Sequence, residues 1–282
     1  MTTYVFPGQG SQIKGMGIGL FNEFSQLTEQ ANAILGYSIK TLCLEDPHQH
    51  LNQTRYTQPA LYVVNALTYF KKIQEKNKTP RFLAGHSLGE YNALLAASVF
   101  DFETGLKLVQ KRGELMSQER EGAMAAIIGL KDNVIKKILE QQGLTNVTIA
   151  NDNSHTQLVI SGSKEDVREA QGLCEQAGAA LVIPLKVSGA FHSPYMVSAQ
   201  EEFERFLESF QFVAPSCPVI SNYTARPYEA KKISTTLAQQ ITHPVRWTES
   251  ISYILAQGET NFEEIGPGAV LSGLIRRIEN GQ

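Results

Sequence analysis

The stretch RFLAGHSLGEYNALLAA at positions 81–97 decides how this chain is read. Arg81 to Ala84 is short and apolar enough for a buried strand, and Glu90 to Ala97 carries good helix formers in a two-sided pattern. Between them Gly85-His86-Ser87-Leu88-Gly89 is a Gly-x-Ser-x-Gly turn. Set between strand and helix, that turn thrusts a serine hydroxyl out at a sharp bend. Glycines flank the serine because the strained turn leaves no room for Cβ atoms. Free N–H groups at the start of the following helix favour an oxyanion nearby. An ordinary glycine-serine turn spells the same letters, and it is the flanking pattern that favours a nucleophile.

Outward from this turn, the composition is that of a globular enzyme. The 282 residues suffice for one large domain or a domain with an insertion. A formal charge of −3 gives no electrostatic case for nucleic acid. The three cysteines, Cys43, Cys174 and Cys217, have neither zinc nor disulfide spacing, so a reducing cytoplasm is expected. His48 and His50 lie in a polar loop with no partner cluster, which reads as surface. No apolar run approaches the ~20 residues of a membrane span, and no signal peptide is apparent after Met1.

Two rhythms follow one another along the chain. Tyr4 to Phe6 reads as a first strand, Leu61 to Ile73 and Glu103 to Met116 as helices, giving a parallel α/β core. From Gly122 the order becomes βαββαβ. Met124 to Leu130, Val147 to Ala150, Leu158 to Ser161 and Ala180 to Val187 are its strands; Asn133 to Gln142 and Lys164 to Ala177 are its helices. That is the ferredoxin-like plan, compact enough to be an inserted subdomain. The expected division is a catalytic domain of 1–121 and 188–282 with a small subdomain at 122–187. Late strands are expected at Val219 to Asn222 and Phe262 to Ile265. A small unit over a large one makes a cleft, a favoured ligand site.

A serine hydroxyl needs a base, and His192 is the better candidate, since His86 points away from the serine in an elbow. A hydrogen-bonded hinge residue is the other reading of His192. Asp101, Asp132, Asp152 and Asp166 lie between Ser87 and His192, but most sit where capping is expected. A carbonyl oxygen would orient the imidazole equally well, so spacing leaves the third member open. Phe6-Pro7-Gly8-Gln9-Gly10-Ser11-Gln12 is a bend whose N–H groups can complete an oxyanion hole with that of Leu88. A plain strand-to-helix loop is the alternative, and the phosphate-loop spacing is missing. Arg112, on a helix expected near the elbow, can hold a carboxylate bidentately; spacing does not single it out among the other arginines.

Taken together, these motifs resemble the malonyl-CoA:acyl carrier protein acyltransferases. FPGQGSQ at 6–12, TQPAL at 57–61, GHSLGE at 85–90, KRGELM at 111–116 and GAFHS at 189–193 occur in that family's order. HPVRW at 243–247 and GPG at 266–268 complete the pattern, so coverage is end to end. The resemblance implies an α/β-hydrolase-like parallel-sheet core with a ferredoxin-like insertion. It implies Ser87 as the acylated nucleophile, His192 as general base and then acid, and Gln9 and Leu88 N–H groups as the oxyanion hole. It implies Arg112 as the partner of the malonyl carboxylate, with Gln58 and Phe191 also at the substrate. The histidine would be oriented by a main-chain carbonyl within Ala238-Gln239-Gln240, with Gln240 preferred.

The implied reaction is a ping-pong transfer from malonyl-CoA, through acyl-Ser87, to the phosphopantetheine thiol of an acyl carrier protein. The coenzyme A thioester is substrate, and no cofactor is expected. Phe191 should crowd a 2-methyl branch, for about 10- to 200-fold discrimination. YSIKTLCLEDP at 37–47, YVVNAL at 62–67 and VISNYTARP at 219–227 resemble discrete enzymes that load polyketide synthases in trans. The rivals are the malonyl transacylase of fatty-acid synthesis and an acyl-carrier thioester hydrolase of the same fold, which has no need of Arg112. A generic esterase and an inactive carrier-binding module fit the motif set less well.

Overall fold

The computed structural model describes residues 2–76, 79–119 and 122–281. Among them the strands, in chain order, are β1 (Thr3–Phe6), β2 (Phe82–Gly85), β3 (Ala123–Ile128), β4 (Thr148–Ser154) and β5 (Gln157–Gly162). They continue with β6 (Leu181–Pro184), β7 (Val219–Ile220), β8 (Val245–Arg246) and β9 (Phe262–Glu264). Two sheets result, ordered β7-β2-β1-β9 and β6-β3-β5-β4-β8.

The first sheet is parallel throughout. β1, β2 and β7 are buried on both faces, as a parallel sheet covered by helices requires, while the edge strand β9 is half-buried and carries Glu263 and Glu264. Alternate side chains serve different cores. Tyr4, Phe6 and Leu83 join the helices Thr54–Lys76, Gly89–Ala96 and Phe102–Gln118 on one face. Val5, Phe82, Ala84 and Ile220 meet Trp247, Ile251, Leu274 and Ile275 on the other. A one-residue slip of β1 would exchange the two sets, so register is strongly fixed. The helices missed by the strand-and-motif reading include Val197–Leu207, Trp247–Ala256 and Val270–Glu279.

The helix expected from Leu61 begins at Thr54, seven residues earlier, and contains Pro59. The first four N–H groups of a helix have no helical acceptor anyway. A proline in the second turn therefore removes one backbone bond, that to the Arg55 carbonyl, and the helix starts around it. Asp101 caps Phe102–Gln118, its carboxylate accepting from Thr104 N–H at 2.8 Å. That leaves one of the four candidate acids occupied with a cap worth about 1 kcal/mol.

The second sheet contains the expected βαββαβ order, with helices Asp132–Gln141 and Lys164–Gln176. β3 pairs antiparallel with β5 and β6, and β5 with β4. β8 then adds in parallel to the edge of β4 through Asn151–Val245 and Asp152–Arg246, a joint that two residues of sequence do not announce. Here too alternation sorts the side chains: Ala125, Ile127, Leu158 and Ile160 pack under the two helices. Met124, Ala126 and Val159 face the opposite way, into a cleft against the first unit.

Candidate active site

β1 and β2 run side by side, with Phe6 opposite Gly85, so the two loops that follow them meet at one end of the sheet. Their closeness depends on glycine. A Cβ on Gly85 would lie 2.0 Å from the Gly89 carbonyl carbon, and one on Gly89 would lie 2.0 Å from the Phe6 oxygen. Between these glycines Ser87 adopts φ 49°. A non-glycine residue held in the left-handed region costs about 1–3 kcal/mol and persists only when its surroundings enforce it. His192 is held the same way, at φ 57°.

The two strained residues touch. Ser87 Oγ lies 2.8 Å from His192 Nε2. His192 Nδ1 lies 2.9 Å from the Gln240 carbonyl oxygen and 3.2 Å from that of His243. Carbonyls only accept, so Nδ1 carries the proton and Nε2 is left to accept from the serine hydroxyl. Burial, followed by the charge of Arg112, pushes the His192 pKa down to about 3. The imidazole is therefore neutral, as a base must be. Asp101, Asp132, Asp152 and Asp166 make no hydrogen bond to it among the described residues.

Arg112 is 1% exposed, and among the described residues no other arginine is buried. Its Nη2 donates to Ser87 Oγ at 3.0 Å and to Gln240 Oε1 at 3.0 Å; its Nη1 donates to Gln58 Oε1 at 2.7 Å. These three acceptors are neutral, and Nε has no partner. A guanidinium so placed stays protonated and matches a carboxylate. Gln58 also donates to Met116 Sδ at 3.5 Å.

Gln9 lies in the bend after β1, which is closed by Ser11 Oγ donating to the Gly8 carbonyl at 2.7 Å. Among the described residues, no protein acceptor engages the backbone N–H of Gln9 or of Leu88. Both residues line a cleft of about 290 Å³ with Ser87, Arg112, Phe191 and His192. The structure thus gathers the candidate nucleophile, base, oxyanion donors and substrate-binding residues at one place, Gln58 included but the four aspartates not, while Gln240 touches Ser87 and Arg112 from behind the cleft.

Several residues at the site went unassigned in the sequence. His86 turns away from the nucleophile, as expected, and its Nε2 meets Asn153 Oδ1 of β4 at 2.7 Å. Asn222 and Glu90 lie directly beneath the elbow. Burial pushes the Glu90 carboxyl up to about 7, against hydrogen bonds from Tyr228 and the Asn222 N–H and the nearby Arg112 charge. Glu90 sits within GHSLGE and Asn222 within VISNYTARP, so letters marked both positions without giving either a task.

A hydroxyl, a neutral base and two unengaged N–H donors, one of them at the start of a helix, define a serine-nucleophile acyl-transfer site, here with a buried cation beside the nucleophile. The acyl transferase domain family matches residues 3–279, and the chain belongs to that family. It is 59% identical to the polyketide biosynthesis malonyl CoA-acyl carrier protein transacylase PksC of Bacillus subtilis, over 99% of this chain and 97% of that one. It is 41% identical to the malonyl CoA-acyl carrier protein transacylase of Escherichia coli K12, over 98% and 92%. A crystal structure of the transacylase from Burkholderia pseudomallei superposes with a TM-score of 0.96 at 53% identity, covering 100% and 99%. A malonyl-transacylase solved in complex with a type II polyketide synthase carrier protein gives 0.94 at 40% identity, covering 99% and 93%.

Proposed function

We propose that this protein transfers a malonyl group from malonyl-CoA to the phosphopantetheine thiol of an acyl carrier protein, loading a polyketide synthase in trans. The observation that carries the reading is Arg112, a buried cation with neutral partners whose Nη2 lies 3.0 Å from Ser87 Oγ. A malonyl carboxylate is the charge this pocket lacks.

In the first half-reaction His192 Nε2 takes the Ser87 proton as Oγ attacks the thioester carbonyl. The Gln9 and Leu88 N–H groups receive the developing oxyanion. Collapse expels the coenzyme A sulfur, which takes the proton back from His192. In the second half-reaction the carrier thiol gives its proton to His192 and attacks the malonyl ester, and Ser87 leaves with that proton. The carbonyls of Gln240 and His243 stabilise the imidazolium formed in both. No step draws on a cofactor; coenzyme A is part of the substrate. Among the described residues no cluster of three metal-ligating side chains occurs.

Phe191, 5% exposed on the cleft wall, is assigned the crowding of a branched acyl unit. Gln58 and Gln240 are assigned the aim of Arg112. Residues 122–187 are proposed as a subdomain that roofs the acyl-enzyme and limits water, which would otherwise hydrolyse the ester. Among the described residues no helix is long and apolar enough to cross a membrane. The free cysteines Cys43, Cys174 and Cys217 support a cytoplasmic assignment.

Intact-mass spectrometry after a brief exposure to malonyl-CoA, followed by a chase with holo acyl carrier protein, tests this reading. The expected result is a malonyl adduct that moves to the carrier. An adduct lost to water without labelling the carrier would replace the transferase with the hydrolase.

A further inference from the structure

Ser87 is strained, yet the helix and strand on either side supply no hydrogen bond to its N–H. That N–H donates instead to Asn222 Oδ1 at 2.6 Å. The same side-chain amide donates through Nδ2 to the Gly85 carbonyl at 2.7 Å. One planar group therefore spans the elbow, from two residues before the serine to the serine itself. Only one orientation of the amide serves, since the serine offers a donor and the glycine an acceptor.

Asn222 is itself held from behind. Its backbone N–H donates to Glu90 Oε2 at 2.6 Å. The other carboxyl oxygen, Oε1, accepts from the Tyr228 hydroxyl. Glu90 has no exposed surface, and Asn222 has none either. Glu90 stands three residues after Ser87 in the helix that begins at the elbow, so the network closes a loop. The elbow helix carries the acceptor that fixes Asn222, and Asn222 fixes the residue at the head of that helix. From the opposite side Gln240 Nε2 donates to the Ser87 carbonyl at 3.0 Å.

We propose that Asn222, locked by Glu90 and Tyr228, is the positioning residue that holds the strained nucleophile in line with His192. Asn222 acts through the Ser87 backbone and touches neither His192 nor the proposed acyl group. Its loss lets the elbow relax toward an ordinary turn, which moves Oγ off the His192 Nε2 axis. A misplacement of about 1 Å in a reacting group can cost about 100-fold. Glu90 accepts two hydrogen bonds, and an amide keeps both links with the second reversed: the glutamine oxygen accepts from Asn222 N–H, and its NH₂ donates to the Tyr228 oxygen.

The proposal rests on the acyl-transfer reading given above, and single-turnover acylation by malonyl-CoA, followed by quenched intact mass, separates the two. Asn222→Ala is expected to lower the maximal acylation rate about 100-fold, with half-saturation by malonyl-CoA unchanged within about threefold. Glu90→Leu is expected to slow acylation similarly, and Glu90→Gln to recover most of that loss. A role confined to general stability would not give this split or this rescue. Tyr228→Phe, which opens no sizeable cavity, is expected to slow acylation about 5- to 10-fold, the loss of one hydrogen bond. It decides the matter should Asn222→Ala fail to fold. Normal acylation by Tyr228→Phe and by a folded Asn222→Ala would overturn the proposal, as would a Glu90→Gln as slow as Glu90→Leu. A wild-type protein that takes no malonyl group would overturn the transferase reading and the proposal with it.

Discussion

Ser87 is gripped on two sides by different kinds of group. On one side His192 is aimed by the carbonyl oxygens of Gln240 and His243, both main chain. On the other Arg112 is aimed by the side-chain oxygens of Gln58 and Gln240. Main-chain acceptors are indifferent to which side chain the residue carries; side-chain amides can be exchanged, shortened or rotated. On the proposed reading the base common to every acyl transfer is thus aimed by backbone, and the arginine assigned the choice of acyl group is aimed by side chains. Gln240 belongs to both sides, its carbonyl to the base and its amide to the arginine.

The first way to break this picture is at the shared centre. Ser87→Ala is expected to give no malonyl adduct by intact mass, and a labelled Ser87→Ala protein would remove the nucleophile from the account. Next comes the base: His192→Ala is expected to slow both half-reactions by about 10²–10⁴-fold, and to slow malonyl and acetyl alike. Gln58→Ala takes away the Nη1 partner of Arg112 and leaves the partners of His192 in place. Removing one hydrogen bond to a charged group is expected to cost about 10-fold or somewhat more in malonyl transfer, measured as kcat/KM, with little effect on acetyl.

The smallest effect is on stability, where two buried groups respond to pH in opposite senses. The His192 pKa is lowered in the folded protein, from 6.5 to about 3. Its contribution is present above pH 6.5 and is lost as pH falls toward 3. Glu90 is raised from 4.5 to about 7. Its contribution is complete below pH 4.5 and is lost as pH rises through 7. Glu90→Gln, which removes the second term alone, is expected to gain in urea midpoint relative to wild type between pH 5 and pH 8. A gap that shrinks over that range would place the charge of Glu90 among the favourable terms.

The core of this fold was legible where pattern and chemistry coincide. RFLAGHSLGE spells strand, glycine, serine and helix in sequence order, and the βαββαβ run keeps its periods intact. Pro59 hid the first turns of a helix because a proline is legible as a breaker before its distance from the N-terminus is known. The short strand β8 was invisible for a different reason: two residues have no period, and their pairing with β4 joins segments about 94 positions apart. Among site residues, Ser87 announced itself and Arg112 did not. Burial among amides is what separates Arg112 from the surface arginines, and burial of a charge is not written in its neighbours. The carbonyls that aim His192 are legible in no motif, since every residue has one; only resemblance pointed to Gln240. Asn222 and Glu90 meet across 132 residues, a contact that only the parallel β2–β7 pairing creates.

On the proposed reading one side of Ser87 performs the transfer and the other selects the acyl group. Acylation of wild type and Arg112→Ala, measured with malonyl-CoA and with acetyl-CoA under identical conditions, separates the two sides. Malonyl acylation is expected to fall by about 10- to 150-fold, the worth of hydrogen bonds to a charged group, while acetyl acylation is kept or raised. Equal losses for both acyl groups would contradict the claim and make Arg112 part of the scaffold.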